Sequence, residues 1–118
     1  MVAPAIHAAE ALAEDGVRAR VLDMHTVVPF DQESIERAAA ETGAIVVAEE
    51  HFLAGGTGEA VARVVAETYP VPVEFVAPRD YGVSGEPDEL LAHYGLTAEA
   101  VAAASRRALE RKVRLARP

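Results

Sequence analysis

Proton transfer and metal binding in a chain without cysteine fall to histidine and carboxylate side chains, and this sequence gathers them at three places. Asp23 and His25 follow the run VRARVL, Glu49, Glu50 and His51 follow AIVVA, and Arg79 and Asp80 follow VPVEFVAP. Two histidines and a carboxylate (His25, His51, Glu49) could hold a divalent metal, but they sit on separate segments and lack the helical histidine spacing that makes such a reading specific. A Glu/His pair also suits general acid–base work, yet no nucleophile or cofactor motif accompanies it, and Ser84 does not lie in a GxSxG elbow. Anion binding is the third option, because Gly55, Gly56 and Gly58 form a turn ahead of a helical segment, as in phosphate cradles. The spacing GGTG matches neither GxGxxG nor GxxxxGK[ST], and two carboxylates just before it would repel an anion. The plainest reading is that the carboxylates cap turns and meet Arg79 or a neighbouring domain.

An alternation of helices and strands is what would bring the three groups to one edge. Ala44 to Ala48 is unbroken and apolar with three successive β-branched residues, which suits a strand covered on both faces. Past the glycines, Ala60, Val61, Val64 and Val65 share one helical face. Residues 3–15 read as a helix with Ile6, Ala9, Leu12 and Ala13 on a common side and Gly16 at its end, and residues 17–24 read as a strand. Asp31 is placed to cap a helix over 32–42 that Gly43 ends. A third strand is expected over 71–77, a short helix over 87–93 opened by Pro87 and closed by Gly95, and a last helix over 98–114 capped by Thr97. The order predicts one α/β domain over residues 1–118, a three-layer α/β/α sandwich on a mostly parallel sheet. Ligands and partners meet such a sheet at the carboxyl ends of its strands, where Asp23, His25, Glu49, Glu50, His51, Arg79 and Asp80 all fall. Three strands are few for a sheet covered on both faces, since about four to six is usual.

Composition narrows the partners. The net charge is −8, yet the six cations from Arg106 to Arg117 against Glu110 give the end of the chain a local +5, leaving −13 on the rest. So acidic a body argues against nucleic acid, and the basic end reads as the solvated last turns of a helix, where cations suit the dipole. No run of eighteen apolar residues and no leader pattern is present, so the expectation is a cytoplasmic protein without a membrane partner.

Three blocks, VLDMHTVVPFD (Val21 to Asp31), VVAEEHFLAGGTGEAVA (Val46 to Ala62) and RDYGVSGEPDELLAHYGLT (Arg79 to Thr97), resemble the C-terminal domain of transketolase, particularly the transketolases made as two separate chains. The module is also similar to those closing deoxyxylulose-phosphate synthase and the β subunits of 2-oxoacid dehydrogenase E1. The resemblance implies a structural and dimer-assembly module of an enzyme that moves two-carbon ketol units between sugar phosphates. Thiamine diphosphate and magnesium would be held by the preceding domains or a separate N-terminal subunit. No catalytic, cofactor-binding or metal-binding residue is then expected in this chain, and the complete enzyme would be a homodimer. Residues from Arg79 onward are about one residue shorter than the family form, which bears on Tyr81 to Gly85. The resemblance also implies a further strand ahead of Met1 in the middle of the sheet, and so a fragment or a mis-set start, with an open slot between residues 17–24 and 44–48. A freestanding small-molecule-binding regulatory domain using His25, Glu49 and His51 is the alternative of a different class.

Overall fold

The computed structural model describes residues 1–117. The elements run α1 (Val2–Glu14), α2 (Gln32–Thr42), β1 (Ile45–Ala48), α3 (Thr57–Glu67), β2 (Val73–Val76), α4 (Pro87–His93) and α5 (Ala98–Leu115). Their boundaries follow local chemistry. The Asp31 carboxylate accepts from the Ser34 N–H at 3.0 Å to open α2, and Gly43, at φ 71°, closes it. Pro87 occupies the first turn of α4, and the Thr97 hydroxyl accepts from the Ala100 N–H at the start of α5. Each of these caps satisfies backbone groups that a helix end leaves without partners.

β1 and β2 pair in parallel, with Ile45 opposite Val73 and Ala48 opposite Val76. The two-residue period of a strand then sends its side chains to opposite layers. Val46 and Ala48 pack against Ala8 and Leu12 of α1 and Val101 and Ala104 of α5. Ile45 and Val47 pack against Ile35 and Ala39 of α2 and Val61, Val64 and Val65 of α3. This is the three-layer α/β/α arrangement, with two apolar clusters back to back across the sheet. α1 turns Ala8 and Leu12 inward, and Ile6, expected on that face, is 43% exposed. No helix among the described residues is long and apolar enough to cross a membrane.

One expected strand does not form. Residues 17–24 carry no strand pairing, and β1 and β2 make up the sheet. The reason is physical: a strand exists by virtue of its ladder. Val17 N–H donates back to the Leu12 carbonyl of α1, whereas no backbone N–H from Arg18 to Met24 donates to another backbone group among the described residues. The segment is tethered instead by an ion pair between Arg20 and Glu41. Between it and β1 lies a cleft of about 390 Å3.

The basic end of α5 differs from the expected solvated tail. Arg107 and Arg111 both reach Glu74 of β2, at 3.1 and 2.6 Å, and Arg111 also donates to the Val73 carbonyl. Lys112 donates to the Thr42 carbonyl at the end of α2, and Arg106 meets Asp15 beyond α1. These cations clamp the last helix across the start of the sheet. The hydrogen bond from Arg111, followed by the one from Arg107, holds the Glu74 carboxyl below its ordinary value of 4.5. A depressed folded-state pKa contributes stability above the unfolded value, and that contribution is lost as pH falls through it. Glu74→Gln is therefore expected to lower stability at pH 7 by about 1 kcal/mol, because both arginines are half-exposed and screened. The same substitution should flatten the loss of stability below about pH 4.5, measured by urea unfolding at stepped pH. A variant whose acid profile superimposes on that of the parent chain would refute this role.

Candidate functional site

The carboxyl ends of β1 and β2 deliver the polar residues to one edge, but the side chains there do different things. Glu49 remains part of the ladder through its N–H, which donates to the Val76 carbonyl at 3.0 Å. Its side chain turns inward and covers the start of α3, where one carboxylate oxygen accepts from Thr57 N–H at 2.7 Å and the other from Gly58 N–H at 2.8 Å. A full negative charge thus faces the positive end of the helix and satisfies two of its free donors. The capping position itself, Gly56, offers no side chain to do so.

This arrangement explains the glycines. A Cβ at Gly56 would lie 2.6 and 2.7 Å from the Glu49 oxygens and 2.7 Å from the Phe52 carbonyl, and one at Gly58 would lie 2.9 Å from both Glu49 and the Phe75 ring. Gly56 and Gly58 therefore permit close approach of a carboxylate. Left-handed backbone in this turn occurs at Gly55 alone, with φ 77°. The sequence shows two carboxylates and a helix start side by side. What it does not show is that Glu49 is the anion the helix start receives, and the one signal for that was the absence of Ser, Thr, Asp or Asn at the cap.

The remaining polar residues are exposed. His25 Nδ1 lies 2.7 Å from the Thr26 hydroxyl, and His51 Nδ1 donates to the Phe52 carbonyl at 2.9 Å. Glu50 accepts from the Met1 ammonium at 3.2 Å, and Asp80 accepts from the Tyr81 N–H at 2.8 Å. Asp23 and Arg79 form no ion pair among the described residues, so Arg79 does not meet the carboxylates it was expected to meet. His25, Glu49 and His51 share no partner, and no group of three histidine or acidic side chains among the described residues is disposed to hold a metal ion.

Sequence reasoning missed the apolar part of this edge. Phe52, Tyr81 and Val83 stand on the loops leaving β1 and β2, Val27 and Val28 stand on the connection between residues 17–24 and α2, and Tyr81 and Val28 are 87% and 85% exposed. Tyr81 projects because the loop is tied down elsewhere. Tyr94 hydroxyl donates to the Tyr81 carbonyl at 2.7 Å and accepts from the Val83 N–H at 2.9 Å. Leu53 N–H donates to the Pro78 carbonyl, so the loops after β1 and β2 are joined. The result is a pre-formed rim of exposed aromatic and branched side chains interleaved with carboxylates and histidines. Aromatic residues at such density on a surface mark sites of protein association.

Comparisons with known proteins agree with this architecture. A family model described as the transketolase C-terminal domain matches residues 1–101. The 6-deoxy-6-sulfo-D-fructose transketolase subunit SqwH of Clostridium sp. (strain MSTE9) is 46% identical over 113 residues, covering 95% of this chain and 35% of that protein. A 1-deoxy-D-xylulose-5-phosphate synthase of Geobacter sulfurreducens is 39% identical over 107 residues, covering 88% of this chain and 17% of its own length. Among solved structures, a split-gene transketolase described as an inactive β4 tetramer superimposes with a TM-score of 0.86 at 48% identity, covering 94% of this chain and 36% of that one. The chain thus spans about a third of the length of the transketolase subunits it matches.

Proposed function

Since this chain belongs to the transketolase C-terminal domain family, we propose that it is the non-catalytic assembly module of a cytoplasmic transketolase that transfers two-carbon ketol units between sugar phosphates. The observation that carries the reading is the rim: exposed Tyr81 and Val83 on a loop bonded to Tyr94, and exposed Phe52 on a loop bonded through Leu53 to Pro78, with acidic and histidine side chains on the same loops. That surface suits docking onto a companion domain or N-terminal subunit bearing the cofactor, in a complete enzyme that is a homodimer. The similarity to a transketolase subunit and to a split-gene transketolase supports this over the synthase alternative, whose relative is less identical.

Thiamine diphosphate and magnesium do not fit the residues present. The glycine-lined start of α3, the natural seat for a diphosphate, is already filled by the Glu49 carboxylate, and the surrounding rim is acidic. No step of turnover is therefore assigned to this chain.

The test is reconstitution. Mixed with the complete set of cofactor-binding domains of a transketolase, the chain is expected to form a stable complex with ketol-transfer activity, and Tyr81→Asp together with Phe52→Asp should weaken that complex at least tenfold while leaving the unfolding midpoint of the free chain unchanged. Titration calorimetry of thiamine diphosphate with magnesium into the chain alone should give no heat of binding. Tight cofactor binding by the free chain, or full assembly by the doubly charged variant, would overturn the proposal.

A further inference from the structure

A cavity of about 220 Å3 opens on the carboxyl edge, between the loops leaving β1 and β2 and helix α4. Its interior is apolar, with Pro78 and Leu96 buried and Leu90, Leu91 and Tyr94 half-buried around them. Exposed Glu50, Phe52 and Asp80 stand at its mouth. The cavity is held open from both sides. Leu53 N–H, bound to the Pro78 carbonyl, fixes one loop, and the Tyr94 hydroxyl, bonded to both Tyr81 and Val83, fixes the other. Gly85 brings that second loop onto α4, so close that an added Cβ would lie 3.2 Å from the Leu90 side chain. A site already shaped in this way needs little ordering when it is filled.

Size and charge restrict the occupant. Pockets for drug-sized ligands run to about 300–1,000 Å3, whereas a cavity of about 150 Å3 takes one benzene ring. This volume therefore suits a single side chain. Among the described residues that line it none is a cation, so a phosphate group would meet two carboxylates and no counter-charge. Arg79, although adjacent to Asp80, does not line the cavity. Each mouth carboxylate keeps one oxygen without a hydrogen-bond partner among the described residues, because Glu50 accepts from the Met1 ammonium through Oε1 and Asp80 from the Tyr81 N–H through Oδ1. A partner closing over this mouth would strip water from both carboxylates, which is costly unless a cation accompanies it. A leucine or phenylalanine would fill the interior and leave that cost standing. An arginine meets both demands, since its methylene stem packs on apolar walls while its planar guanidinium stacks on an aromatic ring and bonds to carboxylates. The −13 carried by the first 105 residues favours a basic facing surface for the same reason.

We infer that this cavity anchors one arginine side chain of the protein partner that docks on the rim. The stem lies among Leu90, Leu91 and Leu96, and the guanidinium sits against Phe52 and between Glu50 and Asp80. The inference rests on the reading of this edge as a docking face, and it adds the residue type that the partner presents there.

The experiment follows amide chemical shifts of the whole isotope-labelled chain during titration with N-acetyl-arginine methylamide at low salt. Saturable shifts are expected at residues 50–53, 80–83 and 90–96, with a dissociation constant on the order of 1 mM. The neutral isostere N-acetyl-citrulline methylamide should bind about fivefold more weakly, and N-acetyl-lysine methylamide about threefold more weakly because its ammonium does not stack. Glu50→Gln with Asp80→Asn, both exposed, should leave the unfolding midpoint in place and abolish the preference for arginine over citrulline. In the assembly with the cofactor-binding domains, the same double variant should weaken the complex about tenfold. Absence of saturable shifts, shifts confined to other residues, equal binding of the citrulline or lysine probe, or a complex indifferent to the double variant overturns the inference and leaves the docking reading in place. An arginine probe that binds here while the chain forms no complex retains the cavity as an arginine site and overturns the docking reading instead.

Discussion

Glu49→Ala is expected to lower the unfolding free energy by about 3 kcal/mol, through two donors left bare and a helix start stripped of its counter-charge. The Thr57 and Gly58 N–H groups both depend on this carboxylate, and both are at least half-buried, so water replaces it poorly. Glu49→Gln should fall between, because an amide keeps one acceptor oxygen and turns its NH2 group toward the second donor. Urea unfolding gives the comparison directly, and an effect of Glu49→Ala under about 0.5 kcal/mol, the level of an ordinary surface substitution, would remove Glu49 from its capping role. Its neighbour Glu50, exposed and paired only with the Met1 ammonium, should show that surface-level effect and serves as the internal control.

Gly56→Ala should cost about 2 kcal/mol for a different reason. Its backbone, at φ −86° and ψ 179°, is one any residue adopts, so the cost is steric. The added methyl group would sit 2.7 Å from the Phe52 carbonyl, and that loop cannot easily recede because Leu53 N–H is bound to Pro78. Overpacking of this kind typically costs about 1–3 kcal/mol. Gly55→Ala offers the contrast. No atom lies near its added carbon, and its φ of 77° leaves only the left-handed backbone cost of about 1 kcal/mol. Because the methyl group at position 56 also meets the Glu49 oxygens, the two substitutions should be coupled, with Gly56→Ala costing less in a Glu49→Ala background. Strict additivity of the pair in denaturant would show that the close approach has no energetic weight.

Much of this fold was legible because its signals are local. Asp31, Gly43, Pro87 and Thr97 each fix an element boundary through contacts within four residues, and each stands where the sequence places it. The unbroken AIVVA run correctly announced a strand covered on both faces. Residues 17–24 misled because their composition suits a strand while strand formation depends on a partner, which is information the segment does not contain. The arginines of α5 misled in the same way. Their spacing fits an exposed helix end, and the carboxylate that draws them in, Glu74, lies more than thirty residues earlier. At the carboxyl edge the sequence located the charged residues, but side-chain direction separated Glu49, which is structural, from its exposed neighbours.

The division of β1 between two apolar clusters has a consequence for how such a domain tolerates change. Val46 and Ala48 answer to the helices on one side, and Ile45 and Val47 to those on the other, with no buried residue common to both sets. Volume lost or gained in one compartment therefore calls for compensation only there, so lineages and engineers alike can remodel either half while the other keeps its shape.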